Sequence, residues 1–279
     1  MKLVLIIIKE IALGLPNMDF FGTTYIIIGG TTGMGLEAAM ALNSRGANVA
    51  VLGRNLDSVK KAKAALGPNA LVLSGDATDP NAAEELIKKA HQSFGVVDGL
   101  FHVAGGSGRK WGDGPIDKLS LEGWNKTLEL NLTSLMLSNK AIISYFLEQQ
   151  REGVILNMGS VLGESPSPKF FVTHAYAAAK SAIVGFTKSI ASYYARNNIR
   201  INVISPSLFV TPMAKRAAEN EDILSFLKTK QPLDGGRPGK PSDIIGAVLM
   251  FLHPSNKFIT GQILSIDGGW SISEGQYPN

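Results

Sequence analysis

Short apolar runs alternating with helix-length segments constrain this chain more than any single residue does. Tyr25–Ile28, Asn48–Leu52, Ala70–Ser74, Gly99–Val103, Val154–Met158, Arg200–Ile204 and Gln262–Ile266 read as strands, several of them apolar on both faces. A strand with one wet face alternates polar and apolar residues; a strand without that alternation must be covered on both sides. Between the runs, Leu36–Ser44, Leu56–Leu66, Asn81–Phe94, Leu119–Gln149 and the segment from His174 to Asn197 carry helical periodicity. Ser242 is placed to cap a further helix over Asp243–Leu252. Such alternation predicts an α/β fold: a parallel sheet of about seven strands, doubly wound with helices on both faces. The chain has 279 residues, 45% hydrophobic and 18% charged, enough for the core of one large domain. No repeat or Pro/Ser-rich linker divides it.

The ends and the totals exclude several classes. Leu3 to Ile8 is apolar, but Lys9 and Glu10 interrupt it well short of the ~20 residues a spanning helix needs. Residues 1–17 are expected to be an extension outside the fold, or alternatively a peripheral apolar anchor, with the domain occupying 18–279. Cysteine is absent, which removes disulfides and thiolate chemistry and fits a cytoplasmic location. The net charge of +4 is spread without a basic run, so nucleic acid is not an expected partner. No His, Asp or Glu set has metal-ligand spacing. His91 and His253 read as surface residues. Residues 206–240 are irregular apart from a helical patch around Ile223–Lys230. That is too long for an idle connection and suggests a lid.

The first strand runs into Gly29-Gly30-Thr31-Thr32-Gly33-Met34-Gly35 and then into a helix. Glycines there permit a tight turn and close approach of the backbone to a pyrophosphate, beside the positive end of a helix dipole. The second strand ends in Gly53-Arg54-Asn55, with no acidic residue for a ribose 2′-hydroxyl. Arg54 is instead suited to a 2′-phosphate, which predicts NADP(H) over NAD(H). Further on, Tyr176 and Lys180 lie four apart, on one helical face. A free tyrosine titrates near pH ~10; an ammonium one turn away is expected to lower that value and make the hydroxyl a useful acid–base group. Alone, the same spacing describes any amphipathic helix.

These pieces together resemble the classical short-chain dehydrogenase/reductase family, over nearly everything from Phe20 to Trp270. The glycine turn is similar to the family's T-G-x-x-x-G-x-G, with Ile28 in place of Thr. Asp76, in Gly75-Asp76-Ala77-Thr78-Asp79, matches the acidic residue that contacts adenine. His102-Val103-Ala104-Gly105 stands where N-N-A-G is usual, so the contacts that brace the central sheet must differ. Asn131 matches the helix asparagine, Ser160 in Asn157-Met158-Gly159-Ser160 the catalytic serine, and Tyr176 with Lys180 the Y-x-x-x-K pair. Pro206-Ser207 replaces Pro-Gly, followed by Val210-Thr211-Pro212, and Thr260-Gly261-Gln262 to Asp267-Gly268-Gly269 resembles the terminal strand and turn.

The resemblance implies a Rossmann-type fold and a tetrad of Asn131, Ser160, Tyr176 and Lys180. In it Ser160 hydrogen-bonds the substrate oxygen and Tyr176 supplies or removes its proton. Lys180 tunes Tyr176 and holds the nicotinamide ribose, and Asn131 holds a water. Gly29, Thr31, Thr32, Gly33, Met34, Gly35, Arg54, Asp76, Ala77, Ala104, Gly105, Pro206 and Thr211, with Tyr176 and Lys180, would contact the cofactor. The implied activity is NADP-dependent interconversion of a carbonyl and a secondary alcohol, with ketone reduction favoured. A 3-ketoacyl-thioester reductase of fatty-acid or polyketide type is the runner-up. An inactive NADP-binding regulator or scaffold is the reading from another class. A homotetramer or dimer is the family expectation, with Ala177, Ala178, Ala182 and Gly185 small enough for helices to approach between subunits or, equally, within the internal core. His102 reads as a buried hydrogen-bonding replacement for Asn. Substrate choice is expected from three loops: one with Arg109, Lys110 and Trp111, one with Phe170 and Phe171, and the lid with Leu208, Phe209 and Met213. The basic residues suit an anionic substrate end or merely a solvated loop.

Overall fold

The computed structural model describes residues 19–275, so the expected 1–17 extension lies outside the described residues. Strands β1 (Thr24–Ile28), β2 (Asn48–Gly53), β3 (Leu71–Ser74), β4 (Gly99–His102), β5 (Gly153–Met158), β6 (Ile199–Pro206) and β7 (Ile263–Ile266) form one sheet. Its order is β3-β2-β1-β4-β5-β6-β7, and every neighbouring pair is parallel. The helices are α1 (Gly33–Asn43), α2 (Leu56–Leu66), α3 (Ala82–Phe94), α4 (Leu121–Leu128), α5 (Ser134–Glu148) and α6 (His174–Tyr194), followed by α7 (Lys215–Ala218), α8 (Glu221–Lys230) and α9 (Ile245–Leu252).

The two-faced strands explain the layers. In β1, Tyr25 and Ile27 join a core that includes Ala38 and Leu42 of α1 and Val248 of α9. Ile26 and Ile28 point the other way, into a core with Leu86 of α3 and Ile142 and Phe146 of α5. Each face buries a full row of side chains, so the sheet is doubly wound as expected. Strand order reverses between β1 and β4, and there the crevice outside the carboxyl ends of the strands opens, the usual place for a ligand in such sheets.

The Leu119–Gln149 stretch is helical as expected, with a π-helical turn at Glu129–Thr133 that separates α4 from α5 and carries Asn131. Three local expectations are corrected. The 206–240 segment is less irregular than its sequence, with α7 preceding α8 and both closing on Trp270 through Ala217, Ile223 and Leu227. Ser242 does not cap the final helix; the Asp243 carboxylate accepts the Lys240 N–H at 2.7 Å, and a 3-10 turn over Pro241–Ile244 leads into α9. His253 is buried rather than superficial, edge-on to Phe20 at 5.1 Å between ring centroids.

Candidate active site

A cleft of about 420 Å³ follows the carboxyl ends of the strands, within the range of small-molecule sites. Gly29, Thr31, Thr32, Gly33, Met34, Arg54, Asp76, Ala77, Ala104, Gly105, Ser160, Tyr176, Lys180, Pro206 and Thr211 all line it. Gly35 and Asn131 are not among its lining residues.

The glycine turn is shaped by close backbone approach. Gly29 has φ +86°, and a Cβ there would lie 2.7 Å from the Ala104 nitrogen. A Cβ at Gly35 would run into the Gly29 carbonyl oxygen, so Gly35 sits under the turn and lets α1 press against it. Thr32 is the N-cap of α1 but makes no side-chain cap bond, and the first turn holds no acidic residue. Orphan N–H groups and the positive end of the helix therefore face the cleft, which is the donor set a pyrophosphate requires. This cradle fits a dinucleotide. The 206–240 segment reaches it: Thr211 Cγ2 lies 3.4 Å from where a Gly33 Cβ would be.

At the far end, Arg54 Nη1 lies 3.3 Å from Asp76 Oδ2 with both side chains about half exposed. Burial raises the Asp76 carboxyl, but hydrogen bonds from the Thr78 N–H and hydroxyl, then the Arg54 charge, hold it below the usual carboxylate range.

At the opposite end, α6 delivers Tyr176 and Lys180 to one face. Lys180 is 3% exposed and donates from Nζ to the Met158 carbonyl at 2.8 Å, at the end of β5. Burial pushes its ammonium down to about 7. Its Nζ stands 5.5 Å from the Tyr176 ring centroid. Burial raises the Tyr176 hydroxyl above its ordinary value, opposed by the Ser160 side chain. The direction is the reverse of the expected lowering by Lys180: desolvation of the phenolate outweighs a lysine that is itself desolvated and turned toward a carbonyl. Tyr176 is thus held protonated, as a proton donor. Ser160 Oγ accepts the Leu162 N–H at 3.2 Å while facing Tyr176.

Asn131 is fully buried and used entirely on backbone. Its Oδ1 accepts the Gly106 N–H at 2.9 Å, and its Nδ2 donates to the Gly106 and Thr127 carbonyls at 2.8 and 2.9 Å. A Cβ on Gly105 would lie 2.8 Å from Asn131 Oδ1 and 3.7 Å from Lys180 Nζ, so the side chain fixes the loop that forms the cleft floor. His102 is also buried, with Nδ1 2.8 Å from Ser138 Oγ and Nε2 3.0 Å from the Ala104 carbonyl. Burial, then the nearby Lys180 charge, push it down to about 3 against the Ala104 hydrogen bond, so it is neutral. Because a carbonyl accepts at Nε2, that nitrogen carries the proton and Nδ1 accepts from Ser138. His102 braces β4 against α5, the service its Asn-like position suggested. Asn157, Asn139 and Thr187 continue the buried polar network through β5, α5 and α6.

Two residues escaped sequence reasoning. Asp113, 3% exposed, accepts the Ala175 and Tyr176 N–H groups at 2.9 Å each, capping α6 from a distant loop. Arg216, on α7, lines the cleft together with Arg109. Neither carries a local signal, since Asp113 lies 62 residues from the amide it caps.

The description "Enoyl-(Acyl carrier protein) reductase" belongs to the family model that matches residues 29–271. The chain is 31% identical to a 2,5-dichloro-2,5-cyclohexadiene-1,4-diol dehydrogenase of Sphingobium indicum, over 91% of this chain and 98% of that protein. It belongs to the short-chain dehydrogenase/reductase family. It is also 31% identical to the 3-oxoacyl-(acyl-carrier-protein) reductase of Vibrio cholerae, over 90% of this chain and 98% of that one. A short-chain type dehydrogenase/reductase from Mycobacterium ulcerans superposes with a TM-score of 0.84 at 26% identity, covering 91% and 92% of the two chains. The family is one of oxidoreductases acting on alcohol and carbonyl groups, and no helix among the described residues is long and apolar enough to cross a membrane.

Proposed function

We propose that the protein is an NADP(H)-dependent carbonyl reductase, running in reverse as a secondary-alcohol dehydrogenase. The observation that carries this is the convergence of Ser160, Tyr176 and Lys180 on one cleft with the glycine cradle. A bound nicotinamide supplies or accepts the hydride. Ser160 donates a hydrogen bond to the oxygen on which charge develops. Tyr176 would give that oxygen its proton as the phenol and, in the oxidative direction, take it back as the phenolate. Lys180 is anchored to Met158 and holds the ribose hydroxyls, and Asn131 acts through Gly106 by fixing the floor beneath them. Gly29, Thr32, Gly33 and Met34 line the cradle that would hold the pyrophosphate. Arg54 favours the 2′-phosphate; its exposed ion pair with Asp76, worth ~1 kcal/mol or less, is easily given up to a stronger anion.

Purified protein should oxidise NADPH with some member of a panel of ketones, aldehydes and 3-oxoacyl thioesters. Tyr176→Phe should lose more than about 10²-fold in kcat yet still bind NADPH in a fluorescence titration. Full activity of that variant would refute the mechanism. Rapid turnover of thioesters over simple ketones would favour the second reading, 3-ketoacyl-thioester reduction, which the likeness to the Vibrio enzyme supports. A chain that binds NADPH but turns over nothing would be the scaffold instead. Assembly as a homotetramer or dimer in the cytoplasm completes the proposal. The outer face of α6 supports the assembly, since Gly185 is exposed with open space where a Cβ would be.

A further inference from the structure

Besides Arg54, two arginines line the cleft, and Asp76 is the one carboxylate among its described lining residues. Arg109 comes from the 3-10 turn Gly108–Trp111 and Arg216 from α7, and both line the same cleft as Ser160 and Tyr176. They feel one another: burial and then the Arg216 charge weaken the proton affinity of Arg109, with Asp113 opposing. The only carboxylate lining the cleft among the described residues is Asp76, at the adenine end and engaged by Arg54 and Thr78. Asp113 lies near Arg109, but its two oxygens are committed to the α6 amides.

Arg109 is presented by a fixed frame. Its Nη2 donates to the Phe170 carbonyl at 3.2 Å, and Gly108 packs against Thr127 and Asp113. The adjacent Lys110 behaves differently: its Nζ lies over the Trp111 ring at 4.1 Å, and it does not line the cleft. Two converging cations at a ligand site repel each other unless an anion lies between them. A guanidinium fork matches a carboxylate in bidentate geometry. Leu162, Phe171, Leu208 and Trp270 line the same cleft as Ser160 and Tyr176 and share one apolar cluster with Ala217, the neighbour of Arg216.

We infer that the substrate is a keto acid or hydroxy acid, its carboxylate held by Arg109 and Arg216 and separated from the reacting carbon by a short apolar spacer. This rests on the oxidoreductase reading above and narrows its substrate class.

The test compares 4-oxopentanoate, 5-oxohexanoate and 6-oxoheptanoate with their methyl esters, using the full chain and NADPH. Two readouts are taken: kcat/KM, and binding to the NADPH complex by quenching of tryptophan fluorescence. At one or more spacer lengths the acid should exceed the ester by at least about tenfold in both readouts. Arg109→Gln and Arg216→Gln should each lower the acid-to-ester ratio several-fold, and together bring it to about one. Arg109→Lys should keep part of the preference. Esters matching acids at every length, or arginine variants that weaken acid and ester alike, would overturn the inference. Arginine-dependent acid binding without turnover would uphold the anion site and instead sink the reductase reading. Turnover of acid and ester alike would sink the anion site and leave the reductase reading standing.

Discussion

The proposed cofactor preference rests on one side chain at a strand end, Arg54. It follows Gly53 at the carboxyl end of β2, where an acidic residue would otherwise hold a ribose hydroxyl. Removing the cation and installing an anion should reverse cofactor choice. Arg54→Asp is expected to lower kcat/KM for NADPH by about tenfold or more while sparing or improving NADH, since one well-placed charged hydrogen bond contributes ~1.5–3 kcal/mol. Steady-state kinetics with both cofactors checks it; equal turnover with either cofactor, unmoved by the substitution, would sink the preference. The position of Arg54 was legible in the chain because strand ends can be read from apolar runs. Its pairing with Asp76, from the next strand over, was not.

At the level of elements, the start of α6 sets the position of Tyr176. Thr173 stands at the N-cap and makes no side-chain cap bond, so the helix lacks the local device that sequence rules look for. Asp113 supplies it from the loop that follows the 3-10 turn Gly108–Trp111, and its negative charge also suits the helix dipole. Asp113→Ala should therefore destabilise the protein by about 2–3 kcal/mol, with Asp113→Asn, which retains one acceptor, costing roughly half as much. Urea unfolding of the three proteins measures this, and identical midpoints would remove Asp113 from its assigned role. Helix α2 was readable to the residue because Asn55 caps it locally, accepting the Ser58 N–H. In the 206–240 segment α8 was legible around Ile223–Lys230, whereas the four-residue α7 was not, because it is held by burial of Ala217 in the cluster around Trp270 rather than by a periodicity of its own.

For the whole molecule, the buried ammonium of Lys180 links protonation to stability. Its folded-state value of about 7 lies below the ordinary 10.5. Between these values the unfolded chain binds more protons than the folded one, so this group makes stability rise with pH across that window. The unfolding free energy of the natural chain minus that of Lys180→Met should climb from pH 7 toward pH 10, at up to about 1.4 kcal/mol per pH unit. Other titrating groups cancel in that difference. Denaturant titrations at several pH values test it, and a difference that stays level would show that Lys180 titrates normally.

The chain by itself determined the layered α/β architecture, because strands apolar on both faces can be satisfied only between two helical layers. It also put Tyr176 and Lys180 on one helical face, because 3.6 residues per turn leave no other arrangement for positions four apart. The tertiary structure alone decided what those groups are like. The raised Tyr176, the lowered Lys180, the neutral His102 between Ser138 and Ala104, the Asp113 cap and the shared cleft of Arg109 and Arg216 all arise from neighbours on other elements. Desolvation and charge pairing depend on distance through space, and distance through space is what a linear sequence does not carry.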